Sequence, residues 1–164
     1  MRTKIPDIKV PIIKNGIDEI LSLSDEFNTK KVILFGVPGT FTPTCSEKHL
    51  PDFIKSTSQL KKRGIDDLYC LSVNDKYVIK AWLLSHSNSE EIIGIADGNT
   101  EITKYFELQE DKSKNYMGLR SSRFVMLVFN NIVQKCFVDK PGEYKVSSPN
   151  NIIKYIDEQN WFNK

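Results

Sequence analysis

Three short apolar runs separated by segments of helical spacing constrain what this chain can fold into more than any other feature. Val32-Ile33-Leu34-Phe35 is apolar and largely β-branched and is ended by Gly36 and Pro38-Gly39, so it reads as a buried strand. Residues 68–73 and 92–96 read the same way. Between them, residues 45–62 and 77–86 carry helical spacing, the second with Ala81, Leu84 and the bulky Trp82 toward one face. Strands alternating with helices predict parallel β-α-β units. The later part of the chain follows another pattern. Residues 124–129 and 132–138 are strand-like and meet at Asn130-Asn131, a dipeptide that tolerates the left-handed conformation, so a hairpin is expected there. After Pro149, Ile152, Ile153 and Ile156 recur at helical spacing and predict a closing helix. The segment before Thr29 reads as a short hairpin plus a turn.

At 164 residues and 40% hydrophobic, the chain has the size of one ordinary domain, and 1–164 is read as a single unit. Its 23 basic and 21 acidic residues are dispersed, which argues against nucleic-acid and membrane-surface partners. The cluster Lys61-Lys62-Arg63 reads as a solvated helix end. No segment approaches the roughly 20 apolar residues of a membrane span. Three cysteines, Cys45, Cys70 and Cys136, form no C-x-x-C pair and do not suit a secreted disulfide framework, so an intracellular, reducing compartment is expected. Arginine is scarce beside lysine: Arg2, Arg63, Arg120 and Arg123 are the only four.

Cys45 stands apart from the other two thiols. It follows Thr42-Pro43-Thr44, and two readings of the helix start remain open: Thr44 caps with Glu47 completing a capping box, or Thr42 caps and Pro43 takes the first helical position. Both put Cys45 in the first turn. Unpaired backbone N–H groups and the positive end of the helix dipole there favour a thiolate. A thiol behind a parallel strand, outside the carboxyl end of a sheet, sits where α/β proteins place their chemistry. Cys70 and Cys136 lie inside apolar runs and read as small core residues. His49, four residues beyond Cys45, shares its helix face, but with His86 the only other histidine and no clustered carboxylates a metal site is not expected. Pro51 falls inside the helix and predicts a kink.

These residues carry a resemblance. Pro38, Thr42 and Cys45 match the P-x-x-x-T-x-x-C signature of the peroxiredoxins, and the string from Phe35 to Pro51 resembles their type-5, or atypical, subfamily. The likeness continues through Cys70-Leu71-Ser72-Val73-Asn74-Asp75, Ala81-Trp82, Ala96-Asp97 and Ser122-Arg123-Phe124. It implies an α/β, thioredoxin-like fold, a central mixed β-sheet flanked by helices with an N-terminal extension, in keeping with the β-α-β then β-β-α order. By resemblance Cys45 is the peroxidatic nucleophile, Thr42 contributes a hydroxyl, Arg123 its guanidinium, and Pro38 shields the pocket; Arg120 is the second choice of arginine. Gly39, Phe41 and Thr44 are expected around the substrate, and His49 is expected to line or order the pocket. No metal or organic cofactor is implied. The implied substrates are hydrogen peroxide, small alkyl hydroperoxides and peroxynitrite, and a homodimer is implied as well.

The chain departs from the subfamily in one respect. Where many type-5 members carry a resolving cysteine before a Pro-Asn step, this chain reads Tyr144-Lys145-Val146-Ser147-Ser148-Pro149-Asn150. A sulfenic acid formed on Cys45 would then need an external thiol: glutathione, glutaredoxin or thioredoxin. In this the chain is similar to the one-cysteine antioxidant protein of apicomplexan parasites, which extends the expected compartments from the cytosol to a plastid-like organelle or mitochondrion. Two other readings compete, a redox switch built on Cys45 and a disulfide oxidoreductase. The latter would want a second thiol where Lys48 stands.

Overall fold

The structure, a computed structural model, describes residues 2–161. Its centre is a seven-stranded mixed sheet. Strands β3 (Lys31–Gly36), β4 (Asp67–Ser72) and β5 (Ile92–Ala96) are parallel, as their apolar runs predict. On one side β8 (Phe124–Phe129) pairs antiparallel with β3, and β9 (Ile132–Val138) with β8. Asn130 and Asn131 turn that hairpin with φ of 48° and 64°, the left-handed pair such a tight connection needs. On the other side the N-terminal hairpin of β1 (Lys9–Lys14) and β2 (Ile17–Ser22) extends the sheet through β5. The order is β2-β1-β5-β4-β3-β8-β9. This is the expected thioredoxin-like architecture with its extension.

Alternation along the strands sends side chains to two faces, and both are covered, which is why the central strands read as unbroken apolar runs. One face gathers Ile33, Phe35, Leu68, Cys70, Val125 and Leu127 against Leu50, Phe53 and Leu60 of α2 (Leu50–Lys62), Ile79 and Trp82 of α3 (Lys76–Leu84), and Ile152 and Ile156 of α5 (Pro149–Gln159). Cys45 belongs to this cluster. The opposite face gathers Val32, Leu34, Tyr69, Leu71, Met126 and Val128 against Leu23 and Phe27 of α1 (Leu23–Phe27) and Ile102 of α4 (Glu101–Tyr105). Each large apolar side chain so buried contributes about 1.5–3 kcal/mol.

Three expectations change. The buried face of α3 is Ile79, Trp82 and Leu83, with Ala81 and Leu84 turned to solvent, because Trp82 sets the face and its neighbours at helical spacing follow it. The segment after β2 is not only a turn but the helix α1. The reading also missed α4 and the small hairpin β6 (Gln109–Asp111) with β7 (Leu119–Ser121), whose residues carry little strand pattern. Gly36 has a packing reason: a Cβ there would stand 2.1 Å from the ring of Phe124.

Candidate active site

The chain leaves β3 at Gly36 with Val37 still bonded to the carbonyl of Leu71, and Pro38 ends the pairing. Phe41, at φ 58°, makes the reversal into the helix and is exposed. The helix begins at Pro43, and the Ser46 N–H reaches the Thr42 carbonyl at 2.9 Å. Thr44 is already helical and makes no side-chain cap, so Pro43 takes the first helical position as the second reading has it, although the Thr42 hydroxyl bonds to Gly39 instead of capping the helix. The reason is local. A proline presets its own φ for a helix start and forces the preceding residue out of it.

Residues Cys45–His49 form a π-helical turn in which the Leu50 N–H bonds to the Cys45 carbonyl, five residues back. Pro51 causes it. A proline has no N–H to give and its ring collides with the carbonyl four residues earlier, so the helix widens where a kink was expected. Widening strands the Ser46 carbonyl, whose donor in this register would have been Pro51. His86 replaces that donor, its Nε2–H reaching the Ser46 carbonyl at 2.8 Å, while Trp82 Nε1–H donates to Ser46 Oγ at 2.9 Å. Sequence reasoning gave His86 no task; the available signal was the proline that leaves a carbonyl unmet nearby.

Cys45 is 1% exposed and lines a cavity of about 310 Å³ together with Pro38, Thr42 and Arg123. Thr44 and Met117 also line it, as do the charged residues Glu110, Lys112, Lys140 and Glu143. Arg123, just before β8, donates from Nη2 to Cys45 Sγ at 3.3 Å and from Nη1 to His49 Nδ1 at 3.0 Å. His49 in turn approaches the Ser147 carbonyl with Nε2 at 3.1 Å. A carbonyl only accepts, so the imidazole proton is on Nε2 and the Nδ1 lone pair receives Arg123. Burial first, and the Arg123 charge second, pull the His49 pKa down to about 3, against the opposing pull of the Ser147 carbonyl. The ring is neutral and orients Arg123. The guanidinium also lies over the ring of Tyr144, whose hydroxyl donates to Asp52 at 2.6 Å.

The structure thus brings together Cys45, Thr42, Arg123, Pro38 and Thr44; three other expected residues do not line the cavity, although His49 orders it through Arg123. His49 is wholly buried behind Arg123 and does not line the cavity. Phe41 points outward. Gly39 acts through its backbone: its carbonyl accepts the Thr42 hydroxyl at 2.6 Å, and a Cβ there would press on Met117 at 2.8 Å. With its proton on that carbonyl, the Thr42 oxygen offers the cavity acceptor lone pairs. Arg120 binds the carbonyls of Met117 and Val73, both at 2.8 Å.

A buried sulfur beside a guanidinium, under a small cavity, is a site for attack on a compact polar substrate. The family model described as redoxin matches residues 2–153. Peroxiredoxin-2B of Arabidopsis thaliana is 45% identical over 127 residues, 77% of this chain and 78% of its own length. The chain belongs to the peroxiredoxins.

Solved peroxiredoxins superpose along almost the whole chain. Reduced Prx3 of Vibrio vulnificus, in complex with hydrogen peroxide, is 35% identical with a TM-score of 0.90, covering 98% of each chain. The one-cysteine antioxidant protein of Plasmodium falciparum is 34% identical with a TM-score of 0.88, covering 96% of this chain and 99% of its own. Membership makes this peroxiredoxin a thiol-dependent peroxidase. Its other two thiols are poorly placed for such chemistry. Burial drives the Cys70 thiol well above its ordinary range and pushes Cys136 up to about 12. Among the described residues no helix is long and apolar enough to cross a membrane.

Proposed function

We propose that Cys45 is the peroxidatic nucleophile of a one-cysteine, type-5 peroxiredoxin that reduces hydrogen peroxide, small alkyl hydroperoxides and peroxynitrite. The contact that carries this reading is Arg123 Nη2 to Cys45 Sγ at 3.3 Å. A guanidinium there stabilises negative charge on sulfur before attack and on the peroxide oxygens during it. The Cys45 thiolate attacks one peroxide oxygen in line with the O–O bond; the S–O bond forms as O–O breaks, leaving a sulfenic acid and an alkoxide or hydroxide that takes a proton to become alcohol or water, or nitrite when the substrate is peroxynitrite. Thr42, its own proton on Gly39, accepts the O–H of the hydroperoxide and so fixes which oxygen faces the sulfur. Pro38 and Thr44 line the cavity beside Cys45, where Pro38 would shield the sulfur.

The sulfenic acid is then resolved from outside. Segment 140–148 holds no cysteine, and Cys136 packs against the other face of the sheet. An external thiol attacks Cys45, a mixed disulfide forms as water leaves, and a second thiol restores Cys45. Glutathione, with glutaredoxin or thioredoxin completing the cycle, is the reductant of this proposal, and the three unpaired cysteines suit an intracellular, reducing compartment: cytosol, plastid-like organelle or mitochondrion. A homodimer completes the proposal by likeness to the family. The disulfide-oxidoreductase reading loses support, since Lys48 occupies the place of its second thiol.

Stopped-flow peroxide consumption tests the assignment. Cys45→Ser should abolish it with the fold intact, and consumption surviving that change would overturn the role given to Cys45. A rapid wild-type reaction also separates a peroxidase from a slow redox switch on the same thiol.

A further inference from the structure

We propose that Asp139 is a positioning residue for the reaction, acting on Cys45 through Ser147, His49 and Arg123; the proposal rests on the reading of Cys45 as nucleophile. Asp139 follows β9 and is only 5% exposed. Its own N–H donates to the Arg123 carbonyl at 2.9 Å, so it stands across from Arg123 where β8 and β9 meet the cavity. Its carboxylate gathers the returning loop: Oδ1 accepts from the N–H groups of Lys145 at 3.0 Å and Val146 at 2.9 Å, and Oδ2 from the Ser147 N–H at 3.3 Å and hydroxyl at 2.5 Å. Four donors satisfy a buried anion that would otherwise be costly, and in return the anion dictates the path of the loop.

What that path determines is the direction of one carbonyl. Ser147 lies between this nest and Ser148, which caps α5 by accepting the Asn151 N–H at 3.3 Å, so it is held from both sides. Its carbonyl takes the His49 Nε2–H. A neutral imidazole has one donor and one acceptor, so this bond and the Arg123 Nη1–H on Nδ1 together hold the ring in one orientation. If the carbonyl turned away, the buried Nε2–H would lose its acceptor and the ring its fixed orientation, taking the Nδ1 lone pair away from the Arg123 Nη1–H. The guanidinium would then swing from the sulfur. The bond from Nη2 to Sγ therefore depends on a carboxylate that touches neither sulfur nor substrate.

The test is a double-mutant cycle with a spectroscopic readout. Asp139→Asn offers one acceptor oxygen to four donors; it should slow peroxide reduction by about tenfold or more, as a misaimed catalytic group does. In a His49→Leu background, where the path is already cut, the same change should cost less than about twofold. An equal loss in both backgrounds would overturn the proposal. Nitrogen-15 spectra of wild-type His49 should show a protonated Nε2 and a bare Nδ1, with Asp139→Asn shifting the Nε2 resonance as its bond to the Ser147 carbonyl weakens. A protonated Nδ1 in the wild type would sink the proposal even if the variant fails to fold. The tautomer is read without turnover, so this failure is distinct from failure of the peroxidase reading, which the Cys45→Ser assay tests.

Discussion

Cys136 and Cys45 lie on opposite faces of one sheet: Cys45 packs with Phe35 and Leu127, whereas Cys136, paired with Met126 across β8 and β9, packs with the residues beneath the other layer of helices. A disulfide between them would require threading through a hydrogen-bonded sheet, since bonded cysteines hold their Cα atoms within about 7 Å. The double variant Cys70→Ser, Cys136→Ser should therefore keep its turnover when an external thiol is supplied. Intact-protein mass after one equivalent of peroxide should show oxidation or a thiol adduct on Cys45 alone; an intramolecular disulfide would refute the one-cysteine cycle.

The two arginines of segment 120–123 should separate cleanly. Arg123→Ala removes the cation from the sulfur and should lower the peroxide rate constant by about 10²–10³-fold, the usual loss for one charge-stabilising donor. Arg120→Ala instead leaves the Met117 and Val73 carbonyls without a donor, at about 1–3 kcal/mol of stability, with a much smaller effect on rate. Stopped-flow and thermal melts on both variants decide it, and a reversed order would mean that the guanidinium on Cys45 is not the one that matters.

His86 and Pro51 should prove coupled. His86→Ala strands the Ser46 carbonyl and should cost about 1–3 kcal/mol, or roughly 2–4 °C in Tm for each kcal/mol in a chain this size. Pro51→Ala returns an N–H to the helix near that carbonyl, so His86→Ala should cost less in its presence. Additive melting shifts would show that the two residues do not share the Ser46 carbonyl.

Acid should destabilise the fold through His49. The fold holds its pKa at about 3 against 6.5 for the free side chain, so the unfolded chain binds the extra proton. The contribution is present in full above pH 6.5 and is lost as the pH falls toward 3, at up to about 1.4 kcal/mol per pH unit. Urea midpoints measured from pH 7 to 4 should fall more steeply for the wild type than for His49→Gln. Equal slopes would show that His49 titrates without penalty in the folded protein.

The central strands, the Asn130-Asn131 hairpin and the closing helix were legible because each rests on short-range pattern: buried runs, turn residues, helical spacing. So was the placement of Cys45 in a first helical turn, although the choice between Thr42 and Thr44 needed the backbone. The N-terminal part was harder, since Ile17 and Ile20 of β2 are 68% and 69% exposed and blur the alternation that marks a half-buried strand. Of the pocket residues, Phe41 was misjudged because adjacency to a catalytic motif says nothing about which way a left-handed turn points its side chain. Asp139 gave no signal at all, since a carboxylate among lysines in a loop reads as solvated surface until the loop is seen folded over it.

The sequence alone determined the order of the central strands, the late hairpin and the closing helix, the thiol at a helix start, the proline that distorts that helix, and the absence of a cysteine where a resolving one would stand. Only the tertiary structure decided that Arg123 rather than Arg120 reaches the sulfur, that His49 serves the arginine rather than the substrate, and that Cys136 faces away. The physical reason is separation along the chain: the bonds from Arg123 to Cys45, from Arg123 to His49 and from His49 to Ser147 span 78, 74 and 98 residues. Local propensity extends over a few residues, whereas strand register and face determine which distant side chains can meet.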